Sequence, residues 1–208
     1  MEQYWNERFK KEKFIWGTEP GNITKSCEKI FRQNNTKTIL IPGIGYGRNG
    51  KYFLDKGYSV DGIEISEEAI KTGKAFAPDI NFFRGSVLDM ETGKKYDAVF
   101  CYDILHLFKK DDRKKALENC IKHMKTDGMM VVSCFSTEDK TYGKGTMIEE
   151  NTYEVKKDKI VHFYGMEELR NIHEKLIPIN IDYSTEKIKT DHREDEYDII
   201  YGVFKLRP

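Results

Sequence analysis

The feature that most constrains the fold is a glycine turn that follows directly on an apolar run. Residues 38–50 read TILIPGIGYGRNG, so an apolar stretch leads into a turn carrying Gly43, Gly45 and Gly47. A second apolar run, YSVDGIEIS over residues 58–66, carries the acidic Glu64 near its end. A strand, a glycine turn, a helix and a second strand ending in a carboxylate form half of a nucleotide-binding α/β unit.

The residue types of this unit have physical reasons. A chain that leaves a parallel strand must turn sharply into the next helix, which often requires φ above zero, and a side chain there would keep the backbone away from a ligand. Glu64 lies 17 positions after Gly47 (64 − 47), at the predicted end of the neighbouring strand. An ionised carboxylate offers only hydrogen-bond acceptors, which suits the hydroxyls of a ribose. We therefore expect a ribose-bearing cofactor.

Two kinds of cofactor fit such a turn. The dinucleotide fingerprint G-x-G-x-x-G needs a third glycine for close packing of helix on strand, but Arg48 stands at that position and the spacing here is G-x-G-x-G. At this point the sequence resembles the class I S-adenosylmethionine-dependent methyltransferases, and within them the small-molecule branch around the tellurite-resistance and thiopurine methyltransferases. The likeness rests on PGIGYGRNG and on the amino-terminal run YWNERF…WGTEP, and it covers about residues 4–175.

The resemblance implies S-adenosyl-L-methionine as the cofactor and a small molecule as the methyl acceptor. Backbone groups of the glycine turn would meet the amino-acid part of the cofactor, Glu64 the ribose and Ile65 one face of the adenine. The residues expected at the cofactor are Trp16, Gly43, Ile44, Gly45, Gly47, Arg48, Glu64, Ile65, Ser86, Val87, Cys101 and Tyr102.

Two positions depart from the resembling family. Ile41 stands where most of its members have an acid near the methionine ammonium, so the ammonium would depend on the carbonyls of Gly43 and Cys101, or on water. Ser86 stands where an acid usually contacts the adenine amino group, so that hydrogen bond is weaker or made otherwise.

Candidate catalytic residues follow the fourth predicted strand and lie in a later polar segment. Asp103 and His106 belong to CYDILHLF (101–108), and His162 to VHFYG. An imidazole titrates near neutrality and can serve as general base for a hydroxyl or amine acceptor, whereas a thiol acceptor needs little assistance. The alternative, that both histidines only pack and hydrogen-bond locally, stays open. The main task expected of the protein is to position the acceptor and exclude water.

Alternating strand and helix patterns predict an α/β fold. We expect a doubly wound, mostly parallel seven-stranded sheet with helices on both faces and a C-terminal antiparallel hairpin over residues 177–188 and 196–206. Residues 1–208 are predicted to form a single domain. Residues 1–36 would be a helical cover, and the polar insertion 136–165 would hang over the same sheet edge as the glycine turn. The pattern also predicts an N-cap at Ser66 and a helix over 166–176.

Composition excludes several classes of function. Basic and acidic residues number 35 each, so the net charge is zero and nothing draws the protein to nucleic acid or anionic lipid. No apolar stretch approaches the roughly 18 residues of a membrane span, and no signal-peptide core opens the chain. The four cysteines show neither CxxC pairs nor metal-ligand spacing, so we predict no metal and no disulfide. A cytoplasmic protein, monomeric or weakly dimeric, is expected.

Two other readings remain. A nicotinamide-dependent reductase would explain the glycine turn and Glu64, but Arg48 disfavours it. Its Tyr-x-x-x-Lys matches, Tyr52/Lys56 and Tyr183/Lys187, fall where a reductase has no catalytic residues. A non-catalytic subunit that binds S-adenosylmethionine is suggested by Ile41 and Ser86.

Overall fold

Two β-sheets make up the strand framework of the computed structural model, which describes residues 1–157, 159–190 and 193–207. The strands are β1 (Thr38–Pro42), β2 (Ser59–Glu64), β3 (Asn81–Arg84), β4 (Tyr96–Tyr102), β5 (Met124–Phe135), β6 (Thr146–Glu149), β7 (Thr152–Lys156), β8 (Lys159–His162), β9 (Leu176–Thr190) and β10 (Arg193–Leu206). The main sheet has seven strands in the order β3-β2-β1-β4-β5-β10-β9. Its first five strands pair in parallel, and β10 pairs antiparallel with both β5 and β9. The predicted mostly parallel sheet with a closing hairpin is confirmed.

Helices cover both faces of this sheet. They are α1 (Glu2–Glu12), α2 (Asn22–Gln33), α3 (Arg48–Asp55), α4 (Glu67–Phe76), α5 (Lys110–Lys122) and α6 (Met166–Arg170). Successive side chains of a strand point to opposite faces, so Leu40 joins a core cluster with Leu117 of α5, while Ile39 joins another with Phe31 of α2 and Phe53 of α3. The doubly wound arrangement follows from strands that are apolar on both sides.

The order of the strands places a cleft beside β1. The chain adds β2 and β3 on one side of β1 and β4 and β5 on the other, so the strand order reverses at β1. In open α/β sheets, ligands bind in the crevice beyond the carboxyl ends of the strands at such a switch point. The glycine turn, the end of β2 and the segment after β4 meet there.

Ser66 caps α4 as predicted, since its hydroxyl accepts from the backbone N–H of Ala69 at 3.2 Å.

The segment after β8 differs from the prediction. The helix expected over 166–176 ends at Arg170, and β9 already begins at Leu176. The side-chain amide of Asn171 donates to the carbonyl of Glu167 at 3.0 Å, and the N–H of Lys175 donates to the ring of His173 at 3.1 Å. These local bonds replace helical ones and turn the chain into the hairpin.

The insertion is more ordered than its polar sequence indicates. Strands β6, β7 and β8 form an antiparallel sheet of their own.

The cysteines Cys27, Cys101, Cys120 and Cys134 are free and buried. In the described ranges, no helix has the length and apolar character needed to cross a membrane.

Candidate active site

A cavity of about 450 Å³ opens at the switch point of the sheet. Its walls come from α1, the glycine turn, the carboxyl ends of β2, β3 and β4, and the hairpin of β9 and β10. Within the described part of the chain, no group of three or more His, Cys, Asp or Glu side chains is arranged to hold a metal ion.

The glycine turn is fastened to the neighbouring strand and kept open. The N–H groups of Gly43 and Ile44 both donate to the carbonyl of Ile63, at 2.8 and 3.0 Å. Gly43 has a φ of +68°, and a Cβ there would lie 2.7 Å from the Cδ1 of Ile104. Both the backbone conformation and the close approach of the segment after β4 therefore require glycine at this position.

Glu64 links the glycine turn to the next helix. Its side chain is buried, and one carboxylate oxygen accepts from the N–H of Gly45 while the other accepts from the N–H of Ser66, both at 2.8 Å. Burial raises the pKa of Glu64, and the hydrogen bonds from Ser66 and Gly45 oppose that rise. Each oxygen retains a further acceptor position. The carboxylate is thus held in the cavity wall with spare capacity for hydroxyl donors.

The amino-terminal segment over residues 16–21 is hydrogen-bonded to the glycine turn and the start of α3. Three side chains from residues 46–49 make hydrogen bonds to backbone atoms of residues 16–21: the Tyr46 hydroxyl donates to Gly17 at 2.5 Å, the Arg48 guanidinium donates to Trp16 and Glu19 at 3.3 and 3.2 Å, and the Asn49 amide oxygen accepts from Gly21 at 3.1 Å. Trp16 of this segment lines the cavity together with Trp5 and Phe9 of α1.

Asp103 occupies a special backbone position after β4. Its φ is +51°, its N–H donates to the carbonyl of Ser133 at 3.1 Å, and its carboxylate accepts from the Ser133 hydroxyl at 2.7 Å. Burial raises the pKa of Asp103 to about 7; the charge of Glu186 adds to the rise, while Ser133 and the charge of Arg48 oppose it. This carboxylate changes its charge near neutral pH.

Asp103→Asn is expected to stabilise the protein at alkaline pH. An unfolded aspartate titrates near 4, so the native state holds this proton more tightly, and stability falls as the pH rises from about 4 to the folded pKa of about 7. Asparagine removes the charge, accepts from Ser133 and tolerates positive φ. The melting temperature without ligand should rise by a few degrees at pH 8 and be unchanged at pH 4. An increase of equal size at both pH values would contradict the charge argument.

His106 is buried beside the cavity and neutral. Burial lowers its pKa to about 3, and the charges of Lys159 and His162 act in the same direction. Its Nδ1 is buried without a hydrogen-bond partner among the residues that the structure describes. An imidazole in this state is a weak base at physiological pH.

Most of the sequence-predicted residues come together in the cavity wall. Those that line it are Trp16, Gly43, Ile44, Gly45, Arg48, Glu64, Ile65, Ser86, Val87, Tyr102, Asp103 and His106.

Three predicted residues lie outside the wall. Gly47 precedes α3 and faces Ile80, to whose Cδ1 a Cβ on Gly47 would come within 3.0 Å. Cys101 is fully buried in the core. His162 does not line the cavity, and both of its ring nitrogens have partners: Nδ1 lies 2.8 Å from the Thr152 hydroxyl and Nε2 lies 2.8 Å from the Glu168 carboxylate.

Sequence reasoning missed the wall that the hairpin supplies. Glu186, Ile188, Tyr197 and Ile199 line the cavity, and Lys159 of the insertion joins them. Their apolar-polar alternation indicates a strand, but no local signal tells which face of a distant hairpin meets the glycine turn.

Comparisons with known proteins agree with this geometry. The sequence profile of a family described as "Methyltransferase domain" matches residues 39–128. A ubiquinone biosynthesis O-methyltransferase of Rickettsia conorii is 25% identical over 127 residues, which are 59% of this chain and 43% of that protein. The chain spans about half the length of the first curated relatives it matches.

Solved structures share the fold. The 1,6-didemethyltoxoflavin-N1-methyltransferase of Burkholderia thailandensis, solved with S-adenosylhomocysteine, has a TM-score of 0.71 at 15% identity, with 100% of this chain and 87% of that chain covered. TehB of Haemophilus influenzae has a TM-score of 0.67 at 13% identity, with 88% and 62% covered. The matched domain thus spans β1 to the first part of β5, and these solved methyltransferase structures share the fold of the chain.

Proposed function

We propose that this chain transfers the methyl group of S-adenosylmethionine to a small-molecule acceptor. The observation that carries the proposal is the 2.8 Å hydrogen bond from the Gly45 N–H to the Glu64 carboxylate in the wall of the cavity. This bond places a carboxylate that can accept from ribose hydroxyls directly beside the open glycine turn. The matched domain and the O-methyltransferase and N-methyltransferase relatives support the same chemistry.

The residues present fit the cofactor that the fold implies. The turn leaves no side chain between its backbone and the cavity at Gly43 and Gly45, and Glu64 retains free acceptor positions for hydroxyls. Ile65, Val87 and Ser86 would flank the adenine, and the amino-acid half would lie toward Trp16, Arg48 and Tyr102. When bound, S-adenosylmethionine supplies an electrophilic methyl group on its sulfonium.

The protein contributes mainly by positioning the cofactor and the acceptor and by excluding water from the site. Residues 16–21 are hydrogen-bonded to the glycine turn, and the aromatic rings of Trp5, Phe9 and Trp16 exclude water from that side. On the other side, Phe135, Tyr197, Ile188 and Ile199 give the acceptor a mostly apolar wall. Placing two reactants in near-attack geometry can supply effective molarities of roughly 10⁵ M or more.

Of the catalytic candidates, His106 stays in the proposal as a residue beside the acceptor, and Asp103 as a residue of the cavity wall at the end of β4. A neutral His106 can orient an acceptor through a hydrogen bond, although a pKa of about 3 makes it a poor proton acceptor at neutral pH. His162 instead joins β8 to α6 through the 2.8 Å contact of its Nε2 with the Glu168 carboxylate.

We also propose a domain organisation and a location for the protein. Residues 1–208 would act as one domain, with 1–36 and 136–165 covering the site. Balanced charge and four free, buried cysteines favour a cytoplasmic monomer or weak homodimer with no nucleic-acid or membrane partner.

Intrinsic fluorescence offers a direct binding test. Trp5 and Trp16 are the two tryptophans of the chain, and both line the cavity. S-adenosylhomocysteine should change their emission saturably, whereas NAD⁺ should not; isothermal titration calorimetry checks both results. Binding of NAD⁺ alone would overturn the proposal in favour of a reductase. S-adenosylmethionine binding without methyl transfer to any member of a thiol, phenol and amine panel would favour a non-catalytic subunit.

A further inference from the structure

Charged side chains gather at one end of the cavity around the Tyr102 ring. Arg48 of α3, Asp103 after β4 and Glu186 of β9 all line the cavity there. The Arg48 guanidinium carbon lies 5.9 Å from the centre of the Tyr102 ring, and the charges of Arg48 and Glu186 both act on Asp103. We call these three residues the charged cluster. It brings one cation and two carboxylates to a site whose β1 residue, Ile41, is apolar.

The cluster is fixed in place by backbone contacts. Glu186 accepts from the N–H groups of Asn22 and Ile23 at the start of α2, at 3.0 and 3.1 Å. Arg48 donates to the carbonyls of Trp16 and Glu19, and the Asp103 carboxylate accepts from the Ser133 hydroxyl. Preorganised charges of this kind bind a ligand without first having to be ordered.

Asp103 is the carboxylate with room for a ligand. Asp103 is half-buried in the cavity wall and its carboxylate accepts from Ser133, whereas Glu186 is only 4% exposed and both of its oxygens accept from N–H groups of α2. Asp103 therefore makes the direct contact, and Glu186 strengthens the negative potential beside it.

The position of the cluster relative to Glu64 indicates what it binds. Glu64 ends β2 and Asp103 follows β4, and β1 lies between these two strands. Adjacent strands are about 4.8 Å apart, so the two strand ends are about 10 Å apart across the turn. A ligand whose ribose lies at Glu64 and that carries an extended chain across the turn brings the end of that chain to the cluster.

We propose that the charged cluster is the receptor for the zwitterionic amino-acid group of the cofactor, with Asp103 accepting from its ammonium, Arg48 donating to its carboxylate, and Glu186 of the C-terminal hairpin holding the negative potential that β1 lacks at Ile41. This inference rests on the proposed function. It replaces the expectation that backbone carbonyls or water alone hold the ammonium, and it places Asp103 at the cofactor instead of the acceptor.

The pair of S-adenosylhomocysteine and 5′-methylthioadenosine isolates this interaction. Both contain the adenosine and the sulfur, but only the first has the amino-acid group. By calorimetry, the wild-type chain should bind S-adenosylhomocysteine about 10- to 100-fold more tightly than 5′-methylthioadenosine. Asp103→Asn should lose about 10-fold or more for S-adenosylhomocysteine and less than twofold for 5′-methylthioadenosine. Asp111→Asn, the same change on the exposed surface of α5, should alter neither affinity.

The pH dependence gives a second readout. The charged and titratable groups that interact with Asp103 are Arg48 on α3, Cys101 and Tyr102 on β4, Cys134 on β5 and Glu186 on β9. Because the ionised carboxylate is the form that binds an ammonium, the affinity for S-adenosylhomocysteine should rise between pH 6 and pH 8 in the wild type. It should be flat in Asp103→Asn, and flat for 5′-methylthioadenosine in both proteins.

The outcomes separate the two proposals. If the wild type binds neither nucleoside, the proposed function fails. If it binds both equally, or if Asp103→Asn weakens both by the same factor, the proposed function stands and the charged cluster is not the amino-acid receptor. Glu186→Gln, accepted only if its melting temperature stays near that of the wild type, should show the same selective loss to a smaller degree.

Discussion

Glu64→Ala is expected to reduce the affinity for S-adenosylhomocysteine by about 100-fold or more. The carboxylate would make charge-assisted hydrogen bonds to two ribose hydroxyls, and each such bond is worth about 1.5–3 kcal/mol. The change also leaves the N–H groups of Gly45 and Ser66 without their buried acceptor. The turn therefore loses the bond that holds its middle residue on the end of β2. Calorimetry below the melting temperature of the variant measures the loss.

The isosteric variant makes this prediction more specific. Each oxygen of Glu64 accepts from a backbone N–H, so in Glu64→Gln the amide nitrogen must face either Gly45 or Ser66, and two donors then oppose each other. We expect Glu64→Gln to lose nearly as much affinity as Glu64→Ala. Glu67→Gln, one turn away and exposed on α4, is the matched control and should bind normally. Wild-type affinity in Glu64→Gln would show that the carboxylate does not bind the ribose.

The second large effect is expected from Gly62→Ala in β2. A Cβ at Gly62 would lie 2.5 Å from both the Cδ1 and the Cγ2 of Ile44, the middle residue of the glycine turn. Ile44 is buried and its branched side chain also packs against Gly50, so it has little room to retreat. Overpacking of this kind costs about 1–3 kcal/mol, and a melting temperature lower by about 3–10 °C follows for a chain of this length.

This substitution should also affect the site. Displacing Ile44 moves the backbone between Gly43 and Gly45, whose N–H groups hold the turn to Ile63 and Glu64. We expect the affinity for S-adenosylhomocysteine to fall along with the stability. Gly85→Ala is the control, because a Cβ there meets nothing within 4 Å and the residue also lines the cavity. Equal melting temperatures for the two variants would contradict the packing of Ile44 on Gly62.

The sheet could be predicted from the sequence because its signals are local. Apolar runs at β1, β4 and β5 are buried on both faces, and glycines with positive φ end β1, so strand and turn follow from a few consecutive residues. Glu64 was found for the same reason, since its distance from the turn equals one helix and one strand.

The missed features depend on contacts between distant parts of the chain. Asn49 stands where an ordinary capping residue is expected, yet its side-chain oxygen accepts from the N–H of Gly21, 28 positions away. Glu186 joins the cavity from 164 positions beyond Asn22, whose N–H it accepts. The helix predicted over 166–176 stopped early because Asn171 bonds locally and Leu176 is drawn into the core with β9. Such choices are decided by tertiary packing and leave no periodic pattern.

His106 and His162 show the same limit at the site. Both lie in aromatic surroundings typical of a functional or a structural histidine, and only the fold separates them. His106 lines the cavity, while His162 is held between Thr152 and Glu168.

A crystal structure with S-adenosylhomocysteine tests the central claim most directly. We expect the nucleoside in the cavity, with its ribose hydroxyls within hydrogen-bond distance of Glu64 and its amino-acid group between Arg48 and Asp103. A ligand bound elsewhere, or one in the cavity whose ribose does not contact Glu64, would contradict it.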